Sequence, residues 1–138
     1  MKRLVLIIIS LIVTCCQLQA KDKEGTIAFG KTSFNFGTFQ KSTIRKCVFP
    51  FKNTGNAPIS ISAAEVTCNC TTATYTKSPI MPGKTGYVTI YYNGRNYGTG
   101  HFRKTVDIRS TASNGLVRLV IEGITEYEIG RASCRERV

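Results

Sequence analysis

Two cysteines one residue apart, Cys68 and Cys70, are the most chemically suggestive pair in the chain. In an extended strand, residues i and i+2 project to the same face. Two thiols so placed could chelate a soft metal such as Cu(I). They could also close a small Cys-x-Cys disulfide, which needs distorted local geometry and is easily reduced. A third arrangement pairs Cys47 with one of them and leaves a single free thiol. The plainest arrangement is structural, a crosslink or buried thiols closing a loop. Cys47, Cys68 and Cys70 are therefore the disulfide or thiol candidates, and Cys68 and Cys70 are the secondary metal candidates. A full metal site needs more ligands than two. The single histidine, His101, and Met81 could complete one if loops at one end of the fold converged.

Other chemistry lacks parts. Asp22, Glu24, Glu65, Asp107, Glu122 and Glu126 are scattered, and no two fall at a spacing that defines a site. No Ser, His and Asp arrangement is legible. We expect no catalytic residues, no enzymatic activity and no cofactor. Tyr87, Tyr91 and Tyr97 could offer an aromatic surface to a glycan or partner, although covering the outer face of a sheet is the plainer role for such residues.

The ends of the chain bound what remains. Residues 1–20 have the three parts of an export signal: basic Lys2 and Arg3, an apolar run from Leu4 to Val13, and a small residue at Ala20 before the polar KDKEG. A run of that length is too short to cross a hydrocarbon core, which takes about 20 residues. Cys15 and Cys16 sit where a lipoprotein signal places its acylated cysteine, but Thr14 stands where the lipobox has Gly, Ala or Ser. Ordinary cleavage after Ala20 is the expectation. Membrane attachment is expected only if Cys15 or Cys16 is lipidated. Residues 128–138 show no apolar alternation and back-translate to a common sequencing adapter, so they are expected to be an artefact, with the natural chain continuing differently after Tyr127. Residues 21–127 are then the folded domain, placed in the periplasm or at the cell surface.

Trimming reshapes the arithmetic. The whole chain of 138 residues has 19 Lys+Arg, 8 Asp+Glu and 6 Cys. Without Lys2, Arg3, Arg131, Arg135 and Arg137 on one side and Glu128 and Glu136 on the other, 14 basic and 6 acidic residues remain, a net charge of +8. Without Cys15, Cys16 and Cys134, only Cys47, Cys68 and Cys70 remain, an odd number for an oxidising compartment. The basic surface attracts anions in general. Nucleic acid is not an expected partner, because no recognition helix or RNA-binding signature is visible. An envelope protein or a glycan is.

The elements that must position these residues are strands. Ile27 and Phe29 alternate, then Gly30-Lys31-Thr32 interrupts, then Phe34 and Phe36 resume on one face, as in an edge strand that breaks and restarts. From Thr43 to Lys52, Cys47, Phe49 and Phe51 share a face, and Pro50 marks an edge or bulge. Asn53 to Asn56 is a turn in which Gly55 is free to take a positive φ. Pro58 to Val66 places Ile59, Ile61 and Ala63 together, and Pro82-Gly83 suits a type II turn. Gly86 to Asn93 sends Val88, Ile90 and Tyr92 to one side, and residues 93–100 form a glycine-rich hairpin loop. Phe102 to Arg109 and Leu116 to Glu122 complete the set, with Leu119 and Ile121 inward. About seven strands with frequent turns predict an all-β, antiparallel β-sandwich.

Five motifs then occur in order: FNFGTF from Phe34, FPFKNTGNAPISI from Phe49, VTCNCTTATY from Val66, IMPGKTGYVTIYYN from Ile80 and GHFRKTVDIRS from Gly100. Together they resemble the exported bacterial family called domain of unknown function 1573. The resemblance implies an immunoglobulin-like sandwich, akin to Hydin-type (ASH) and major-sperm-protein modules. By analogy of fold it implies a binding or structural module of the cell envelope. Asn69 stands where the family's loop has glycine, Ser110-Thr111 stands for Ser-Asn, and Cys47 takes a position where the family commonly has another residue.

Overall fold

The computed structural model describes Arg3 and residues 22–128. The rest of the export signal, with Cys15 and Cys16, and the expected adapter tail after Glu128, with Cys134, lie outside the described residues.

Eight strands follow one another: β1 (Ile27–Phe29), β2 (Ser33–Gln40), β3 (Arg45–Asn53), β4 (Ile61–Val66), β5 (Thr71–Tyr75), β6 (Thr85–Tyr92), β7 (Gly100–Ser110) and β8 (Leu116–Glu126). They form two four-stranded sheets, β1-β3-β6-β5 and β2-β8-β7-β4, which we call sheets A and B. The sheets pack face to face as a β-sandwich. Pairing is antiparallel except between β2 and β8, which run parallel.

Period-two alternation explains the core. Cys47, Phe49, Phe51 and Asn53 of β3 are buried, and Lys46, Val48, Pro50 and Lys52 between them are exposed. Val88, Ile90 and Tyr92 of β6 do the same beside them. Phe102, Val106 and Ile108 of β7, with Leu119 and Ile121 of β8, line the facing sheet. The Tyr92 and Phe102 rings stack across the sandwich, 3.9 Å between centroids, and Phe39 meets both edge-on at about 6 Å.

Several expectations change in three dimensions. The broken N-terminal strand does not restart in place. At residues 30–32 the chain leaves sheet A, and β2 joins sheet B beside β8. Residues 93–100 are not a hairpin loop, because they carry the chain from β6 in sheet A to β7 in sheet B. Ile59 and Ile61 are buried, but a register shift between Ile61 and Ala63 moves the inward position to Ala64, which packs on the core. Phe36 is buried and Phe34 is not, since Phe34 is 40% exposed. Gly83 has a φ of 78°, and Lys84 N donates to Met81 O at 3.0 Å, closing the Pro-Gly turn. Gly55 takes no positive φ. A side chain there would meet the backbone of Glu24 and Thr26, so close approach accounts for the glycine.

Candidate functional site

The loop between β4 and β5 carries the cysteine pair from one sheet to the other. Thr67 Oγ1 donates to Thr105 O of β7 at 3.3 Å, which holds the loop's start on sheet B. Asn93 N donates to Cys70 O at 2.8 Å, which holds its end on sheet A beside β6. Between these anchors Thr71 N donates to Cys68 O at 3.0 Å, making a tight turn. Residues 68 and 70 are thereby turned together, and Cys68 is bonded to Cys70 with their Cα atoms 5.2 Å apart. Cys70 is buried and Cys68 half-buried, while Asn69 at the tip is exposed. Thr71, also buried, places its hydroxyl 3.5 Å from Cys70 Sγ.

Cys47 takes no part in this. It is a free thiol on the inward face of β3, where burial pushes its pKa up to about 12 against a small lowering by a hydrogen bond from the Ile90 backbone. Such a thiol stays protonated and unreactive at neutral pH. The structure carries the Cys-x-Cys bond with Cys47 apart from it.

The extra metal ligands are not gathered. Thr71 pairs with Tyr92 at the end of β6, whereas Met81 lies in the turn that precedes Thr85 at its start. An eight-residue strand separates them, roughly 25 Å at the usual rise. His101 is exposed on β7 beside the buried Phe102, so it faces away from the interior that holds Cys70. Among the described residues, no three His, Cys, Asp or Glu side chains come together as a metal-binding group. The tyrosines also divide. Tyr87 and Tyr91 lie on the outer face of sheet A, with Lys46 Nζ 5.8 Å from the Tyr91 ring, and Tyr97 sits in the loop after β6.

Three of the acidic residues, Glu65, Asp107 and Glu122, are held in cross-strand ion pairs on the outer face of sheet B. Arg118 donates twice to Asp107, at 2.7 and 2.8 Å, and Arg109 donates to Glu65 at 2.7 Å. Arg118 holds the Asp107 carboxyl below the usual carboxylate range. Arg103 reaches Glu122 at 4.0 Å.

Asn53 is the polar group that strand periodicity does not single out. Its side chain is fully buried and accepts from Gly55 N at 3.0 Å and Thr26 N at 3.3 Å. Its amide donates to Ala57 O at 2.7 Å and Ile80 O at 2.9 Å. The signal was present in Asn53-Thr54-Gly55, but it reads as turn chemistry, and the burial comes from segments far along the chain.

Comparison with known proteins bears on this geometry. Residues 27–125 match the model of a family described as protein of unknown function (DUF1573). No curated protein matches the chain. Among solved structures, a protein of unknown function from Porphyromonas gingivalis W83 superposes with a TM-score of 0.65 at 15% identity, over 78% of this chain and 51% of that one. This chain thus spans about half the length of that protein. The ASH/PapD-like domain 7 of human CEP192 superposes with a TM-score of 0.60 at 14% identity, over 80% of this chain and 92% of that one. The secreted serine protease VesC of Vibrio cholerae gives 0.54 at 16% identity, over 72% of this chain and 23% of that one. At these identities the likeness is one of fold, a PapD-like, ASH-like β-sandwich.

Proposed function

The chain belongs to the family described as protein of unknown function DUF1573, and from that premise we propose that it is an exported, non-enzymatic interaction or structural module of the bacterial cell envelope. The observation that carries this reading is how the polar side chains are used. Glu65, Asp107 and Glu122 are engaged by arginines on an outer face, and the interior is filled by apolar groups with three buried polar residues, Asn53 and Thr125, whose side chains bond to backbone, and Thr71 beside Cys70. Catalytic groups instead tend to be gathered in a cleft with shifted proton affinities. The signal-like residues 1–20 support a compartment outside the cytoplasm. The expected partner is an envelope protein or glycan, with no nucleic acid, and membrane attachment follows only from lipid on Cys15 or Cys16.

The test is to crosslink the full chain in living cells, fractionate the envelope and identify what is attached. The expected result is a chain cut before Lys21, in the envelope fraction, with a recurrent partner. Turnover of an envelope substrate by the purified chain, abolished by substitution of defined residues, overturns the reading.

The bonded cysteine pair favours a second reading, thiol-based redox or metal chemistry at Cys68 and Cys70. Mass measurement with and without reductant and Cu(I) checks it. This reading fails if the reduced pair binds no metal and a Cys68→Ser/Cys70→Ser variant behaves as the wild type in every envelope assay.

A further inference from the structure

One flank of the sandwich, between β2 and β3, is left open by the chain's early departure from sheet A. β1 pairs only with Phe51, Lys52 and Asn53 of β3. The backbone of Asn53 bonds to Lys84 O and Gly83 N on the β6 side. Odd-numbered residues of β3 therefore turn their peptide groups toward β6, and even-numbered ones turn theirs the other way, in unbroken register. Lys46 and Val48 thus present an N–H and a carbonyl, and Pro50 a carbonyl alone, to a side where no strand pairs among the described residues.

Two hollows run along this edge. One of about 400 Å³ is lined by Phe34, Val48 and Pro50, with Lys31 at its margin. The other, of about 310 Å³, is lined by Phe34, Ile44, Arg45 and Lys46. They meet at Phe34, making one groove between the sheets. Phe34, Ile44 and Val48 are 40%, 58% and 46% exposed, an apolar strip beside unpaired backbone. Natural edge strands are normally blunted by charge, proline or cover. Here the lysines and Pro50 limit self-pairing but leave Lys46 and Val48 able to pair.

The charge on the flank selects the occupant. Lys31, Lys46 and Lys52 are exposed along it. No carboxylate lines either hollow among the described residues, and Glu122, bonded to the neighbouring Asn35 at 3.4 Å, is also paired with Arg103 at 4.0 Å. A second copy of the chain would set its own row of lysines against this one. We propose that the open edge of β3 docks an extended acidic peptide segment, which joins sheet A as a fifth strand by backbone pairing with Lys46 and Val48. Alternate side chains of the segment are apolar and enter the groove at Phe34; the others are acidic and lie beside Lys46 and Lys52. This deepens the interaction-module reading and rests on it.

The test uses the full chain, isotope-labelled, with three synthetic peptides: Asp-Val-Glu-Val-Asp-Val-Glu, its all-lysine counterpart, and the acidic peptide methylated at alternate backbone nitrogens. The expected result is that the acidic peptide slows hydrogen exchange at the Lys46 and Val48 amides by at least about tenfold. It should also bind at least about tenfold more tightly than the lysine peptide, a preference that Lys46→Glu/Lys52→Glu reverses. The methylated peptide should give no protection. Unchanged exchange at both amides, equal binding of the methylated peptide, or protection that grows with protein concentration and no peptide would each overturn the proposal, the last by assigning the edge to a second copy. A crosslinked envelope partner found while both amides stay unprotected removes this edge and leaves the module reading intact. Substrate turnover removes the module reading without altering the amide result.

Discussion

Cys47 and Cys70 are both buried, yet their chemistry differs because only Cys70 has a second sulfur one turn away. With its pKa pushed up to about 12 by burial, Cys47 binds a proton that the unfolded chain releases above about 9. A raised folded value stabilises fully below the unfolded value and is lost as pH rises toward the folded one. The wild type should therefore lose its advantage over Cys47→Ala as pH climbs from 9 to 12, by at most about 1.4 kcal/mol per pH unit in urea unfolding. A pH-independent difference would mean that Cys47 ionises as freely folded as unfolded. Asn53 makes a second residue-scale case. Asn53→Ala leaves the carbonyl of Ala57 and the amides of Thr26 and Gly55 without their side-chain partner, and the Ile80 carbonyl with Ile59 N alone. Unsatisfied buried groups cost about 1–3 kcal/mol each, and some relaxation is expected, so a loss of about 2–4 kcal/mol should appear in urea unfolding. A loss below about 0.5 kcal/mol, the size typical of surface changes, would show that water replaces the side chain.

At the scale of elements, β4, β7 and β8 are tied on their outer face by charge, Arg109 of β7 bonding Glu65 of β4 and Arg118 of β8 bonding Asp107 of β7. The Arg118 hydrogen bonds lower the Asp107 pKa, so this contribution is present above the ordinary carboxylate value and lost as pH falls through the folded one. Asp107→Asn should lower Tm modestly at pH 7, since exposed pairs contribute little. The difference should shrink as pH falls below the ordinary carboxylate value and vanish once pH is below the lowered folded value, where both states of the wild type are protonated. A difference that persists in acid would assign the effect to packing. The same strands show what the sequence made legible. β3, β6 and β8 were readable because each buries one face, and alternation records that directly. Sheet membership was not readable. Nothing in Gly30-Lys31-Thr32 or in residues 93–100 says whether the next strand pairs with the last one or crosses to the facing sheet, because that depends on partners far along the chain. The inward shift from Ala63 to Ala64 was hidden for a related reason, as a bulge between two alanines changes the face without changing the composition. At the candidate site, the spacing of Cys68 and Cys70 was legible, but their bond depended on anchors at Thr105 and Asn93 that no local pattern reveals.

For the whole molecule, the question is whether the sandwich needs its disulfide. The bond closes a loop of only about three residues, and on chain-entropy grounds so short a loop contributes about 1–2 kcal/mol. What holds the sheets together lies elsewhere: Tyr92 stacks on Phe102, Phe39 closes against both, and Val88, Ile90, Val106, Leu119 and Ile121 are fully excluded from water. Burial of side chains this size contributes about 1.5–3 kcal/mol each, so the core outweighs the crosslink many times over. Both Cys68→Ser/Cys70→Ser and the reduced wild type should then keep the strand registers of the native protein, with unfolding free energy lowered by about 1–2 kcal/mol. Amide exchange should quicken in residues 67–71 and stay unchanged at Val88, Ile90 and Leu119. If reduction instead released protection at those three amides, the loop would be a staple of the whole fold, and a redox or metal role requiring the pair to open would unfold the protein. If protection holds there and falls only around Asn69, the pair can open and close while the β3 edge stays in place, and the two candidate regions can be probed independently.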